Sequence, residues 1–229
     1  MKKKLVQFGW LFIGVALISI GIAMMNKSGL GQTAYSGFAN SIGQVIRIKS
    51  GTMLIVFNMS CVFGQLILLR NKFRAHQWLQ VVVAYLSGLM VNFWVYDFEL
   101  TASFIPVNYF SQWGVSLLGI MTISCGVAIV MASETIKMPL EAFVLVISEK
   151  IQMAFSSLRT LVDVFSILGS LCLILIFKLD ISALREGTWI SMVLLGSSMR
   201  VTFPWAKGLL RNSYQYLGIK NPQPLGESL

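Results

Sequence analysis

The sequence predicts an all-α membrane protein: six transmembrane helices arranged as two inverted three-helix repeats, each carrying a short interfacial or re-entrant helix. Three observations predict it. Of 229 residues, 56% are hydrophobic and only 12% charged, with a mean hydropathy of +0.75, which leaves too little polar surface to cover a water-soluble domain of this size. Apolar runs able to cross a hydrocarbon core of about 30 Å recur along the chain. Sliding the sequence by 105 residues lays positions 7–68 on positions 112–173 without a gap. Identities on that offset include Gln7/Gln112, Ile18/Ile123, Ser19/Ser124, Ser28/Ser133 and Phe38/Phe143, and four glycine pairs: Gly9/Gly114, Gly14/Gly119, Gly21/Gly126 and Gly64/Gly169.

The first apolar run, 5–25, follows Lys2, Lys3 and Lys4. A basic start also opens secretory signal peptides, but this run has the length of a span and no small-x-small cleavage site follows it, so it reads as helix 1. The connector after it is long and patterned. Ser28-Gly29-Leu30-Gly31 breaks the helix, Thr33 is a candidate cap, and Tyr35, Phe38, Ile42, Val45 and Ile46 recur at helical spacing before Ser50-Gly51. Spans two and three follow at 52–69 and 77–96, separated by the basic loop 70–76, and the fourth is 113–132. The second half then repeats the short element. Pro139 stands at a first helical position, and Leu140, Phe143, Val144, Ile147 and Ile151 share a face. A helix of about 13 residues reaches roughly 20 Å, too short to span. Spans five and six are 158–177 and 188–205. The polar stretch 207–229, with Pro222 and Pro224, is expected to trail disordered in the cytoplasm. The domain boundaries are thus a membrane domain over 1–206, with repeats at about 5–96 and 110–206, and a cytoplasmic tail over 207–229.

The net charge of +9 raises nucleic acid as a partner, and the placement of the basic residues decides against it. With the N-terminus inside, 13 of the 18 Lys and Arg fall on the cytoplasmic side, and the loop at 96–112 carries Asp97 and Glu99 with no Lys or Arg. Both termini are then cytoplasmic. Three spans per half force the second copy to enter from the opposite side, so the repeat is inverted. The expected location is a membrane, and the expected partners are the bilayer and a small-molecule solute. A homo-oligomer or a partner subunit stays open.

Polar groups inside spans are costly and call for a partner or a task. The offset pairs Asn58 with Asp163, and aligning Gly88 with Gly196 at an offset of 108 pairs Asn92 with Arg200. These four residues form the candidate substrate or ion site near the junction of the halves. Bland readings stand beside it: an Asp163–Arg200 ion pair, Arg200 reaching to the headgroups, Arg159 neutralising Asp163 from one turn away, and asparagines bonding across helices. Helix N-termini entering the membrane near Arg200 and Lys27 would favour an anionic or zwitterionic solute, while Asp163 or Glu149 could carry a proton or bind a cation. The helix 1 and helix 4 glycines read as packing positions. Cys61, Cys125 and Cys172 read as apolar fillers with no metal pattern.

No catalytic residues, cofactor or metal site are expected. The single histidine, His76, lies in a basic loop, and there is neither a Walker motif nor a dinucleotide-binding glycine loop.

The stretch from Gly21 to Gly31, the Ser50-Gly51-Thr52 that opens helix 2, and Gly187-Thr188 followed by Leu194-Leu195-Gly196 resemble the YczE/YyaS/YitT group of bacterial membrane proteins. The resemblance implies a multi-pass plasma-membrane protein of transporter-like character. Members of the group commonly show Gly-Pro with a nearby Asp late in the third and sixth helices; here Gly88-Leu89 with Asn92 and Gly196-Ser197 with Arg200 stand instead. The function expected is a permease or exporter of a small solute, an anionic one being favoured, driven by an ion gradient or by the solute's own gradient. The alternatives are a non-transporting scaffold for a partner complex and a substrate-binding subunit of a larger transporter.

Overall fold

Long apolar stretches in a bilayer must satisfy their backbone internally, and the helix is the element that does so. The computed structural model describes residues 2–103, 106–133, 135–180 and 184–216, and among them the chain forms helices and turns without a strand. In order these are α1 (Lys2–Ser28), α2 (Ala34–Ile46), α3 (Ser50–Leu69), α4 (Leu79–Asn92), α5 (Glu99–Ala102), α6 (Tyr109–Ala132), α7 (Pro139–Ile151), α8 (Phe155–Phe177) and α9 (Glu186–Tyr216). A 3₁₀ turn over Ala75–Trp78 leads into α4, and a π turn over Phe93–Asp97 closes it.

Among the described residues, five stretches are long and apolar enough to cross a membrane: Leu5–Ser28, Ser50–Leu69, Ala75–Asp97, Tyr109–Ala132 and Phe155–Phe177. They overlie the first five predicted spans. The sixth, 188–205, lies within the 31-residue α9, where Ser197, Ser198, Arg200 and Thr202 interrupt the apolar run. Residues 207–216, expected in a disordered tail, instead continue α9, because Ala206, Leu210 and Tyr214 bury a stripe against Ala128, Ile129 and Ala132 of α6. The remainder of the tail lies outside the described residues.

The two short helices are 13 residues each and correspond end to end on the 105-residue offset. Thr33 caps α2, with its hydroxyl accepting from the Ser36 N–H at 3.4 Å, while Met138 precedes Pro139 at the start of α7. Both close on a left-handed residue, Arg47 (φ 57°) and Gln152 (φ 52°), which turns the chain sharply into the next long helix.

Packing repeats on the same offset. Gly14 faces Gly126 and Gly21 faces Gly119, with ideal methyl positions only 2.9 and 2.7 Å from the facing carbonyl oxygens, so α1 and α6 run antiparallel in close contact. The offset exchanges these two contacts for each other. It does the same for the short helices: Phe38 of α2 packs on Gly169 of α8, and Phe143 of α7 packs on Gly64 of α3. Each short helix therefore lies against a long helix of the other half. Polar pins reinforce this crossing. The Ser41 and Ser170 hydroxyls meet at 2.6 Å, and Gln65, the counterpart of Ser170, donates from Nε2 to the Pro139 carbonyl at 3.1 Å.

The correspondence breaks at the last helix. Gly51 and Gly88 clamp α3 to α4, whereas Gly196, the counterpart of Gly88, meets nothing within 4 Å. α9 packs chiefly along α6 instead.

Candidate functional site

The crossing of the short helices leaves a space at the middle of the bundle. A cavity of about 90 Å³ lies there, well above the roughly 10–15 Å³ that one water requires. Its walls come in counterparts. On the 105-residue offset they pair Ile18 with Ile123, Ile22 with Val127, Thr33 with Met138, Tyr35 with Leu140, Ser36 with Glu141 and Leu54 with Arg159; on the 108-residue offset they pair Ser87 with Leu195. Both short helices present their first turns to it, so backbone N–H groups and the positive ends of two helix dipoles converge on one space.

The pairs match in position but not in chemistry. On the first half's side, Thr33 and Ser36 hydroxyls bond each other at 2.7 Å, and the Tyr35 hydroxyl donates to Asn58 Oδ1 at 3.4 Å with Cys61 Sγ 3.9 Å away. Burial above all, then the Cys61 thiol and the Glu141 carboxylate, push the Tyr35 phenol far above its usual range, so it remains a donor. On the second half's side stand ions. Arg159 donates from Nη1 to Asp163 Oδ1, the (i, i+4) pairing that the spacing suggested. Glu141, three residues into α7, lines the same cavity, and among the described residues no hydrogen bond or ion pair engages its carboxylate.

The four residues singled out from the sequence divide. Asn58 is buried and lines the cavity. Asp163 stands behind the wall, reaching the cavity through Arg159. Asn92 is committed elsewhere: Oδ1 accepts the Gly51 N–H at 3.0 Å and Nδ2 donates to Thr52 Oγ1 at 2.9 Å, supplying the start of α3 with the cap that Lys49 does not give. Arg200 is exposed on α9, away from the other three. The structure therefore brings Asn58 to the cavity and Asp163 behind its wall, bonded to the lining Arg159, and Asn92 and Arg200 are not among the lining residues.

Tyr35 and Glu141 belong to the cavity and were not among the candidates. A signal for Glu141 was present, since Ser36/Glu141 and Leu54/Arg159 are changes of charge within the repeat itself.

A family model described as "Family of unknown function (DUF6198)" matches residues 5–204. The chain is also 24% identical to the "Uncharacterized protein YyaS" of Bacillus subtilis (strain 168), over 84% of this chain and 90% of that protein. No solved structure matches the chain.

Proposed function

The chain belongs to the family of unknown function DUF6198, and we propose that it is a multi-pass permease or exporter of a small solute, built as a six-helix inverted repeat in the bacterial plasma membrane with both termini inside. One observation carries the reading. The central cavity is walled by counterpart residues from both halves, and the first turns of both short helices face it. In membrane transporters made of inverted repeats, the solute site lies at the junction of the halves near mid-membrane, and broken or short helices aim their termini at it. Irregular backbone is tolerated at that depth only where protein or a water-filled space surrounds it. Thr33 and Met138, the residues that lead into α2 and α7, border this cavity and would meet that condition.

The antiparallel pairing of α1 with α6 and the excess of cytoplasmic Lys and Arg support the inverted orientation. A rocking of one half against the other about the α1–α6 glycine contact would expose the cavity to each side in turn. No ATP-binding motif is present, so the solute's own gradient or an ion gradient would drive the step.

The test is flux. Purified protein in liposomes, screened with pooled small solutes, is expected to move at least one pool, and Asp163→Asn is expected to lower that flux by about tenfold by freeing Arg159 at the cavity wall. Absence of flux for every pool, in protein whose thermal unfolding shows it folded, would favour the scaffold reading and overturn this one.

A further inference from the structure

The cavity offers unmatched groups of both signs. Arg159 spends one N–H on Asp163, and its other guanidinium donors have no partner among the described residues. Asn58 accepts from Tyr35 through Oδ1, which leaves its amide N–H groups free to donate. These donors, together with the first-turn N–H groups of α2, suit an anionic group. Glu141 is the opposite case. Its carboxylate lines the same space, and the one guanidinium on that wall is already matched by Asp163. The remaining lining is largely apolar: Ile18, Ile22, Leu54, Val91 and Ile123 cannot compensate a carboxylate. A simple anion would satisfy Arg159 and Asn58 while adding charge beside Glu141. A simple cation would satisfy Glu141 and leave the donors unmet. A molecule carrying both groups satisfies all three.

We infer that the cavity binds a small zwitterion, its ammonium on Glu141 and its acid group on Arg159 and Asn58. The inference rests on the permease reading for the use of the site, but binding can be measured without transport. The charge asymmetry of the repeat then has a use: Ser36/Glu141 and Leu54/Arg159 place both ion-recognising groups on one half, while the counterpart half supplies neutral hydroxyls and an aromatic ring.

Thermal unfolding of the purified protein in detergent, followed by tryptophan fluorescence, tests this with glycine, L-alanine and β-alanine against acetate and methylammonium. The zwitterions are expected to raise the midpoint by several degrees in a saturable manner, with each half-molecule at least about tenfold weaker. Glu141→Gln, which keeps the shape, should reduce glycine to the level of acetate. Arg159→Gln combined with Asp163→Asn, which removes the pair without leaving a lone charge, should reduce it to the level of methylammonium. Acetate equal to glycine and indifferent to Glu141→Gln would overturn the inference in favour of an anion site. Methylammonium equal to glycine in the paired variant and in the unaltered protein alike would overturn it in favour of a cation site. A silent response to all zwitterions alongside measurable flux of another solute would sink the inference and leave the permease reading standing.

Discussion

Gly31 shows how a single residue ties the ends of the chain together. Gly29 and Gly31 both take positive φ, 68° and 105°, in the break after α1. Between them the Leu30 carbonyl accepts the Gly187 N–H at 2.8 Å, and Arg185 Nη1 donates to the Gly29 carbonyl at 3.0 Å, so the break docks on the start of α9. The motifs Ser28-Gly29-Leu30-Gly31 and Gly187-Thr188, 156 positions apart in the case of Gly29 and Arg185, are therefore one contact. A methyl on Gly31 would stand 2.3 Å from Thr188 Oγ1 and 2.8 Å from the Arg185 nitrogen, on a backbone that L-residues avoid. Gly31→Ala is expected to cost about 1–3 kcal/mol of stability. Gly9→Ala, where nothing lies within 4 Å, should leave the unfolding midpoint unchanged or slightly raised, as Ala is the better helix former. Equal midpoints for the two variants would refute the docking role.

At the scale of elements, the glycines of α1 and α6 separate into two classes. Gly14, Gly21, Gly119 and Gly126 lie at the helix crossing, and Gly9 and Gly114 face open space although they are an identical pair on the same offset. Gly21→Val should therefore push the two helices apart, at a cost of about 1–3 kcal/mol, and disturb any step that rocks one against the other. Gly9→Val should change neither the unfolding midpoint nor flux, and a matching loss in that variant would show that the crossing is not where the structure puts it. The sequence made five apolar spans and the two short helices legible, because hydropathy and periodicity record burial in lipid and position along a helix axis, but not the extension of α9 to Tyr216. It did not disclose partners. Asn58 lines the cavity while Asn92 serves the start of α3, since a polar group in a span announces a need for a hydrogen bond without saying where it is met. Arg200 fails to join because α9 follows α6 rather than α8, and that choice is set by the small-residue contact of Ala206 with Ala128 and Ala132. Glu141 is not legible as a costly polar group inside a span, because it lies on a helix too short to be one.

At the scale of the whole molecule, the inverted repeat requires that α9 cross the membrane. If α9 crosses the membrane, the halves are equal in number of crossings, the repeat is inverted, and the cavity sits on its pseudo-twofold axis. If α9 lies along the surface, the second half has one crossing fewer and the counterpart walls would not face opposite sides. Its length favours crossing: 31 residues rise about 46 Å, enough to traverse the core and extend past it, and the extension carries Lys207 and Arg211 as a cytoplasmic end should. The two cases differ in one measurable respect. In a background lacking Cys61, Cys125 and Cys172, single cysteines at Ser103, between α5 and α6, and at Asn212, near the end of α9, are separated by three crossings in the first case and by two in the second. An impermeant thiol reagent applied to intact cells is expected to label Ser103→Cys and to reach Asn212→Cys only after the membrane is opened. Labelling of both from outside would place α9 on the surface, and with it would fall the inverted repeat and the argument that two opposed helix N-termini meet at a mid-membrane site.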